Sequence, residues 1–190
     1  ALWAYGQARQ AERLDNATAS PPVLFDVPPF ALTERSGETV TLEDLKGKVW
    51  IGQFTFTRCA GPCPMITART ASLQDILDEH SRWSDMRLVS FSVDPEYDTP
   101  AVLRRYAKTA GATDQWLFLT GEREPMWTLI KDGFKLPVQE QDDPAMPILH
   151  SSKRVLVDAQ GRIRGYYSAM DDEGRAALLR DLGRVLAEAK

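Results

Sequence analysis

The chain has 190 residues, a formal net charge of −4 and an apolar content of 43%, which predict one folded domain with a substantial core rather than a disordered segment. Its Lys and Arg residues form no cluster, which argues against nucleic acid as a partner because phosphate binding needs a concentrated basic surface. No apolar run approaches the length that spans a membrane.

The first 22 residues are predicted to form an N-terminal arm, and residues 23–190 a single domain. The arm is polar and ends in ATASPP, a composition typical of a linker. Trp3 and Tyr5 suit a membrane interface, so we expect the arm to follow a removed membrane anchor. A frayed helical arm explains the same residues equally well.

Extended structure is predicted for most of residues 23–57. Residues 23–30 alternate and are rich in Pro, as in an edge strand or an extended arm. ALTERSGETVTL predicts a hairpin that turns at Ser36 and Gly37, and LEDLKGK a short helical turn that ends at Gly47. VWIGQFTFT, residues 49–57, has the β-branched and aromatic residues of a buried central strand.

Two strand-and-helix units are predicted next. Pro64 opens a helix to about His80, whose apolar positions recur at helical spacing: Met65, Ile66, Leu73, Ile76 and Leu77. MRLVSFSVD predicts a second buried strand, and Thr99 with Pro100 an N-cap and first turn of a helix through Lys108. QWLFLT predicts a third strand, and EPMWTLIKDGF a short helix.

A hairpin and a helix close the chain. KRVLVDAQGRIRGYY predicts two strands that turn at residues 159–161, and a C-terminal helix has one apolar face: Leu178, Leu179, Leu182, Val185 and Leu186. This order predicts an α/β fold in which helices cover both faces of a central mixed sheet. The sequence shows neither repeats nor a second domain.

The only two cysteines, Cys59 and Cys63, lie where the central strand meets the first long helix. Ligands gather outside the carboxyl ends of strands in such sheets, and a helix N-terminus favours thiolate over thiol. We therefore expect reactive thiols with lowered pKa values. A disulfide across so short a loop would stabilise the fold little, which leaves a redox pair or a soft-metal site.

Two histidines are available as a third ligand. His80 lies at the far end of the first long helix, so we expect it in solvent, and a zinc site that uses both histidines is disfavoured. His150 lies in a predicted loop before the closing hairpin, whose first strand should lie beside the strand that leads to Cys59. The pair Asp94 and Asp98 is a weak case for a hard-metal site, and loop capping is the favoured interpretation.

Three segments in this order, FTFTRCAGPCP, SVDPEYDTP and LHSSKRVLVD, resemble the Sco/SenC proteins that help deliver copper to cytochrome c oxidase. The similarity covers residues 26–186. It implies a thioredoxin-like fold with an added N-terminal hairpin, and one copper, as Cu(I) or Cu(II), held by Cys59, Cys63 and His150. Within the second segment, Asp94 is expected to organise its loop near the site, and Asp98 to belong to the helix start.

The resemblance also implies partners and a location. Copper would pass to the dinuclear site of oxidase subunit II, with another copper chaperone or a thiol reductant as a further partner. An N-terminal membrane anchor, removed from this chain, would tether the domain so that it faces the periplasm or, alternatively, the mitochondrial intermembrane space.

A thiol–disulfide oxidoreductase that acts on subunit II or another exported protein is the alternative function, since two thiolates serve either role. Thioredoxins have a cis-proline where this chain has Lys153, which favours copper. A peroxidase is disfavoured, because its motif needs Pro and Thr where Gly52 and Phe56 stand.

Overall fold

The computed structural model describes residues 19–144 and 146–189. Trp3, Tyr5 and most of the predicted arm lie outside the described residues. The strands are β1 (Phe25–Asp26), β2 (Ala31–Glu34), β3 (Thr39–Thr41), β4 (Val49–Thr55), β5 (Met86–Ser92), β6 (Trp116–Thr120), β7 (Val138–Glu140), β8 (Ile148–His150), β9 (Lys153–Val157) and β10 (Arg162–Ser168). The helices are α1 (Leu42–Leu45), α2 (Cys63–Asp78), α3 (Pro100–Thr109), α4 (Arg123–Thr128) and α5 (Asp172–Glu188).

Eight of these strands form one mixed sheet in the order β1-β10-β9-β4-β5-β6-β2-β3. Strands β4, β5 and β6 are parallel, and β9 runs antiparallel to β4 with Trp50 opposite Val157. The hairpin β2–β3 extends the sheet beyond β6, and the short strand β1 forms the opposite edge. The predicted α/β fold with a central mixed sheet and an added N-terminal hairpin is confirmed.

Strand β4 is buried along its whole length because β5 and β9 flank it and a core covers each face. Trp50 and Phe54 point into an aromatic core, in which the Phe134 ring centroid lies 5.2 Å from that of Phe54. Val49 and Ile51 point to the other face, which α2, α3 and α5 cover. This burial fixes where the segment after β4 leaves the sheet.

The buried face of α2 includes only some of its apolar residues. Met65 and Ile76, two of the apolar positions that recur at helical spacing, are 45% and 44% exposed and lie outside the core. Polar residues of α2 are also buried, because each has a hydrogen-bond partner. The Thr70 hydroxyl donates to the Gln53 side chain, and Gln74 donates to the Gly111 carbonyl 3.0 Å away.

A second, two-stranded sheet precedes the closing hairpin and was not predicted. Strands β7 and β8 pair antiparallel with Val138 opposite His150, so His150 ends a strand and the predicted loop position is wrong. Three-residue strands that lie next to Asp and Pro carry too little alternation to be recognised in sequence. Among the described residues, no helix is long and apolar enough to cross a membrane.

Substitutions on α2 test which face is buried. Leu73→Ala should lower the free energy of unfolding by about 2–5 kcal/mol, because Leu73 is fully buried and its truncation leaves a cavity. Ile76→Ala, on the same helix, should change it by less than about 0.5 kcal/mol. Urea unfolding of both variants measures the difference, and equal losses would contradict the assigned faces.

Candidate functional site

The segment between β4 and α2 carries both cysteines. Cys59 lies in the turn after β4, where its N–H donates to the Phe56 carbonyl, and Cys63 is the first residue of α2. The two side chains are free thiols, and the residues are 7% and 1% exposed. The structure thus places both predicted residues at the carboxyl end of the central strand, beneath the surface.

Two buried carboxylates after β5 hold the segment just before Cys59. Asp98 accepts hydrogen bonds from the Thr57 N–H (3.2 Å) and hydroxyl (2.5 Å) and from the Ser92 hydroxyl (2.6 Å). Asp94 accepts one from Arg58 Nε at 2.6 Å. Burial raises the pKa of Asp98, and these hydrogen bonds oppose that effect.

Asp98 therefore does more than the helix-start role expected of it. The neighbouring Thr99 alone caps α3, through its side chain and the Val102 N–H. The hydrogen bond between Thr57 and Asp98 could not be predicted from sequence, because the two residues lie 41 positions apart. The carboxylates fix the two residues that precede Cys59.

His150 reaches the same place from β8. Its Nε2 lies 3.4 Å from Cys63 Sγ, and its ring packs edge-on against Phe56 with centroids 5.7 Å apart. Its Nδ1 lies 3.1 Å from the Ser151 carbonyl oxygen, which can only accept. Nδ1 therefore carries the ring proton, and the lone pair of Nε2 faces the Cys63 thiol.

Burial decides the protonation of this pair. It raises the pKa of Cys63 from 9.0 to about 12, an effect that the hydrogen bond with Cys59 increases. Burial also lowers the pKa of His150. A neutral thiol therefore donates to a neutral imidazole. For Cys63 the predicted lowered pKa is wrong, because a helix N-terminus contributes only about 0.3–1 kcal/mol.

The cysteines and His150 meet around Cys63 but do not form a ready-made metal site. In the described part of the chain, no three His, Cys, Asp or Glu side chains are grouped so that they could hold a metal ion. Cys63 contacts both Cys59 and His150, whereas the Cys59 sulfur accepts a hydrogen bond from the Gly61 N–H at 3.3 Å. The three-ligand set stays a prediction.

Of the remaining residues, His80 lies far from the site, whereas Phe56 and Met146 lie beside it. His80 is exposed beyond the far end of α2, where its Nδ1 accepts from the Arg82 N–H. Phe56 and Met146 were not singled out, yet Phe56 packs on His150 and Met146 contacts the position of Gly61. The run PAMPILH, with a Met four residues before His150, was the available signal.

Comparison with known proteins identifies the family. A family model described as SCO1/SenC matches residues 23–187. A SCO1/SenC family lipoprotein from Bacillus anthracis is 32% identical, with a TM-score of 0.80 over 88% of this chain and 99% of that one. The chain belongs to the SCO1/SenC family, and its predicted thioredoxin-like fold is confirmed.

Two other solved structures are similar along most of their length. BsSco, described as a member of the Sco family of cytochrome c oxidase assembly proteins with a disulfide switch, is 30% identical, with a TM-score of 0.77 over 90% of this chain and 97% of that one. Arabidopsis thaliana ScoI, solved with copper bound, is 25% identical, with a TM-score of 0.72 over 85% of this chain and 99% of that one.

The raised pKa of Cys63 predicts how its alkylation depends on pH. In a Cys59→Ser variant, the rate of iodoacetamide modification should still rise well above pH 9.0, because burial disfavours the thiolate. The same variant unfolded in guanidinium chloride, which serves as the control, should reach half its maximal rate near pH 9.0. By the same shift, the neutral Cys63 thiol contributes to the free energy of unfolding below pH 9.0, and this contribution is lost as the pH rises toward 12. A midpoint below 9.0 in the folded protein would contradict this assignment.

Proposed function

We propose that this protein binds one copper ion through Cys59, Cys63 and His150 and serves in assembly of the dinuclear copper site of cytochrome c oxidase. The approach of Cys63 Sγ to His150 Nε2, at 3.4 Å, is the observation that carries this proposal. It pairs a thiol with the unprotonated imidazole nitrogen that a metal would use. The copper-bound ScoI and the assembly role stated for BsSco support it.

The donor set suits copper in both oxidation states. Thiolates are soft ligands that favour Cu(I), and an imidazole is also a good ligand for Cu(II). Two thiolates and a neutral imidazole balance the charge of Cu(II) and leave a single negative charge with Cu(I). Both states can therefore be held at a site whose two cysteines are buried.

The residues around the ligands prepare them for the metal. The Ser151 carbonyl holds the proton on His150 Nδ1 and so keeps Nε2 available, an arrangement common to metal-binding histidines. Copper binding requires loss of the thiol protons, so affinity should rise with pH.

We further propose the setting in which this site works. Residues 1–22 would link the domain at 23–190 to a removed membrane anchor, and the domain would lie on the periplasmic side of the inner membrane. The similarity to a lipoprotein from Bacillus anthracis supports a membrane-attached location. Oxidase subunit II would be the recipient of the copper.

A thiol–disulfide oxidoreductase is the second candidate function. Cys59 and Cys63 are both free and in contact, which is the geometry that a reversible disulfide needs, and a disulfide switch is named for BsSco. His150 separates the two functions, because imidazole is a metal ligand but takes no electrons in disulfide exchange.

An anaerobic Cu(I) titration of the reduced protein against a competing chelator tests the proposal. The wild type should bind one equivalent, and His150→Ala should bind it roughly 10–100-fold more weakly, by analogy with losses seen when metal-site residues are altered. His80→Ala is the matched control, since His80 is exposed, and its affinity should equal that of the wild type.

Two results would reject copper binding at this site: a wild type that does not compete with the chelator, or equal affinities of the His150→Ala and His80→Ala variants. In parallel, the reduction potential of the Cys59–Cys63 pair should be measured in wild type and His150→Ala. Efficient disulfide exchange by a protein that does not retain copper would establish the oxidoreductase instead.

A further inference from the structure

The space above the loop between the two cysteines is occupied by a third sulfur. A Cβ placed on Gly61 would lie 3.0 Å from Met146 Sδ and 3.6 Å from Cys59 Sγ. The thioether of Met146 and the thiol of Cys59 therefore lie within 3.6 Å of one point. A larger residue at position 61 would require the Met146 side chain to move by a few tenths of an ångström.

Hydrogen bonds hold the backbone on both sides of Met146 in place. The Met146 N–H donates to the Asp143 carbonyl at 3.0 Å, and the Gln141 N–H donates to the Pro147 carbonyl at 2.9 Å. Strand β8 begins at Ile148, two residues after Met146, and ends at His150. Met146 and the His150 imidazole therefore belong to one short segment. Methionine has three rotatable side-chain bonds, which allow the sulfur to follow a nearby ligand.

We propose that Met146 is an additional ligand of the bound copper and that it is selective for Cu(I). The inference rests on the proposed function, since it adds a donor to the same site. A thioether is soft and neutral, so it favours Cu(I) over Cu(II) and adds no charge. It also binds without losing a proton, unlike the buried thiol of Cys63. Axial methionines in copper proteins tune the reduction potential in the same way.

Met65 provides the matched comparison. It lies two residues after Cys63, in the first turn of α2, and is 45% exposed. Met146, by contrast, is partly buried and packs against the aromatic core. If methionine at this surface acted only by packing, leucine at position 146 would serve equally well, because the two side chains have similar volume.

The test compares Met146→Leu with Met65→Leu in the copper-loaded protein. Met146→Leu should weaken Cu(I) binding by about tenfold and leave Cu(II) binding within about twofold, because only Cu(I) gains from the thioether. A tenfold selective loss lowers the Cu(II)/Cu(I) potential by about 59 mV. Competition titrations and redox potentiometry measure both, and Met65→Leu should match the wild type.

The outcomes separate this inference from the proposed function. If the wild type fails to bind Cu(I), the proposed function itself is rejected. If the wild type binds Cu(I) and His150→Ala binds it weakly, but Met146→Leu matches the wild type, only the role of Met146 is overturned. Equal weakening of Cu(I) and Cu(II) binding by Met146→Leu would indicate a packing role and would also overturn it.

Gly61→Ala tests the same contact from the other side. The added methyl group would press on the flexible end of Met146, and the backbone at Gly61 does not require glycine, so the thioether should move while the fold persists. The variant should show a smaller Cu(I)-selective loss than Met146→Leu, because the thioether is displaced by only a few tenths of an ångström. In a Met146→Ala background the substitution should have no further effect, and an additional tenfold loss there would contradict the proposal.

Discussion

The hydrogen bond between the Cys63 thiol and the His150 imidazole joins residues that are 87 positions apart, and it depends on the whole order of the sheet. Strand β4 leads to the cysteine turn, and β9 pairs with β4, so the segment before β9 must pass the same sheet edge. The small sheet β7–β8 then fixes His150 at the end of a strand. A site assembled in this way needs an intact fold, because no single element carries it.

Burial and electrostatics act in opposite directions at this site. The helix N-terminus at Cys63 favours a thiolate, but burial outweighs it and raises the pKa of Cys63 to about 12. The same burial keeps His150 neutral, so the apo site is a thiol–imidazole pair without net charge. Such a pair can lie beneath the surface without a counter-ion, and a soft cation can replace the thiol proton.

Much of the fold could be predicted from sequence because its signals are local. Buried strands, the Thr99–Pro100 helix start and the closing hairpin each follow from a few adjacent residues. The burial of Thr70 and Gln74 on α2 has no such local signal, because their hydrogen-bond partners lie 17 and 37 residues away in sequence. The site residues followed from motif resemblance, whereas the contact of Met146 with the cysteine loop depends on tertiary approach.

X-ray absorption of the Cu(I)-loaded protein tests the central claim most directly, namely that one metal ion is shared by the cysteine turn and the segment that ends at His150. The wild-type spectrum should show sulfur ligands together with the outer-shell scattering of one imidazole. In His150→Ala the imidazole signal should vanish while the sulfur signal remains. A spectrum with no imidazole in the wild type, or one unchanged in the variant, would contradict the account.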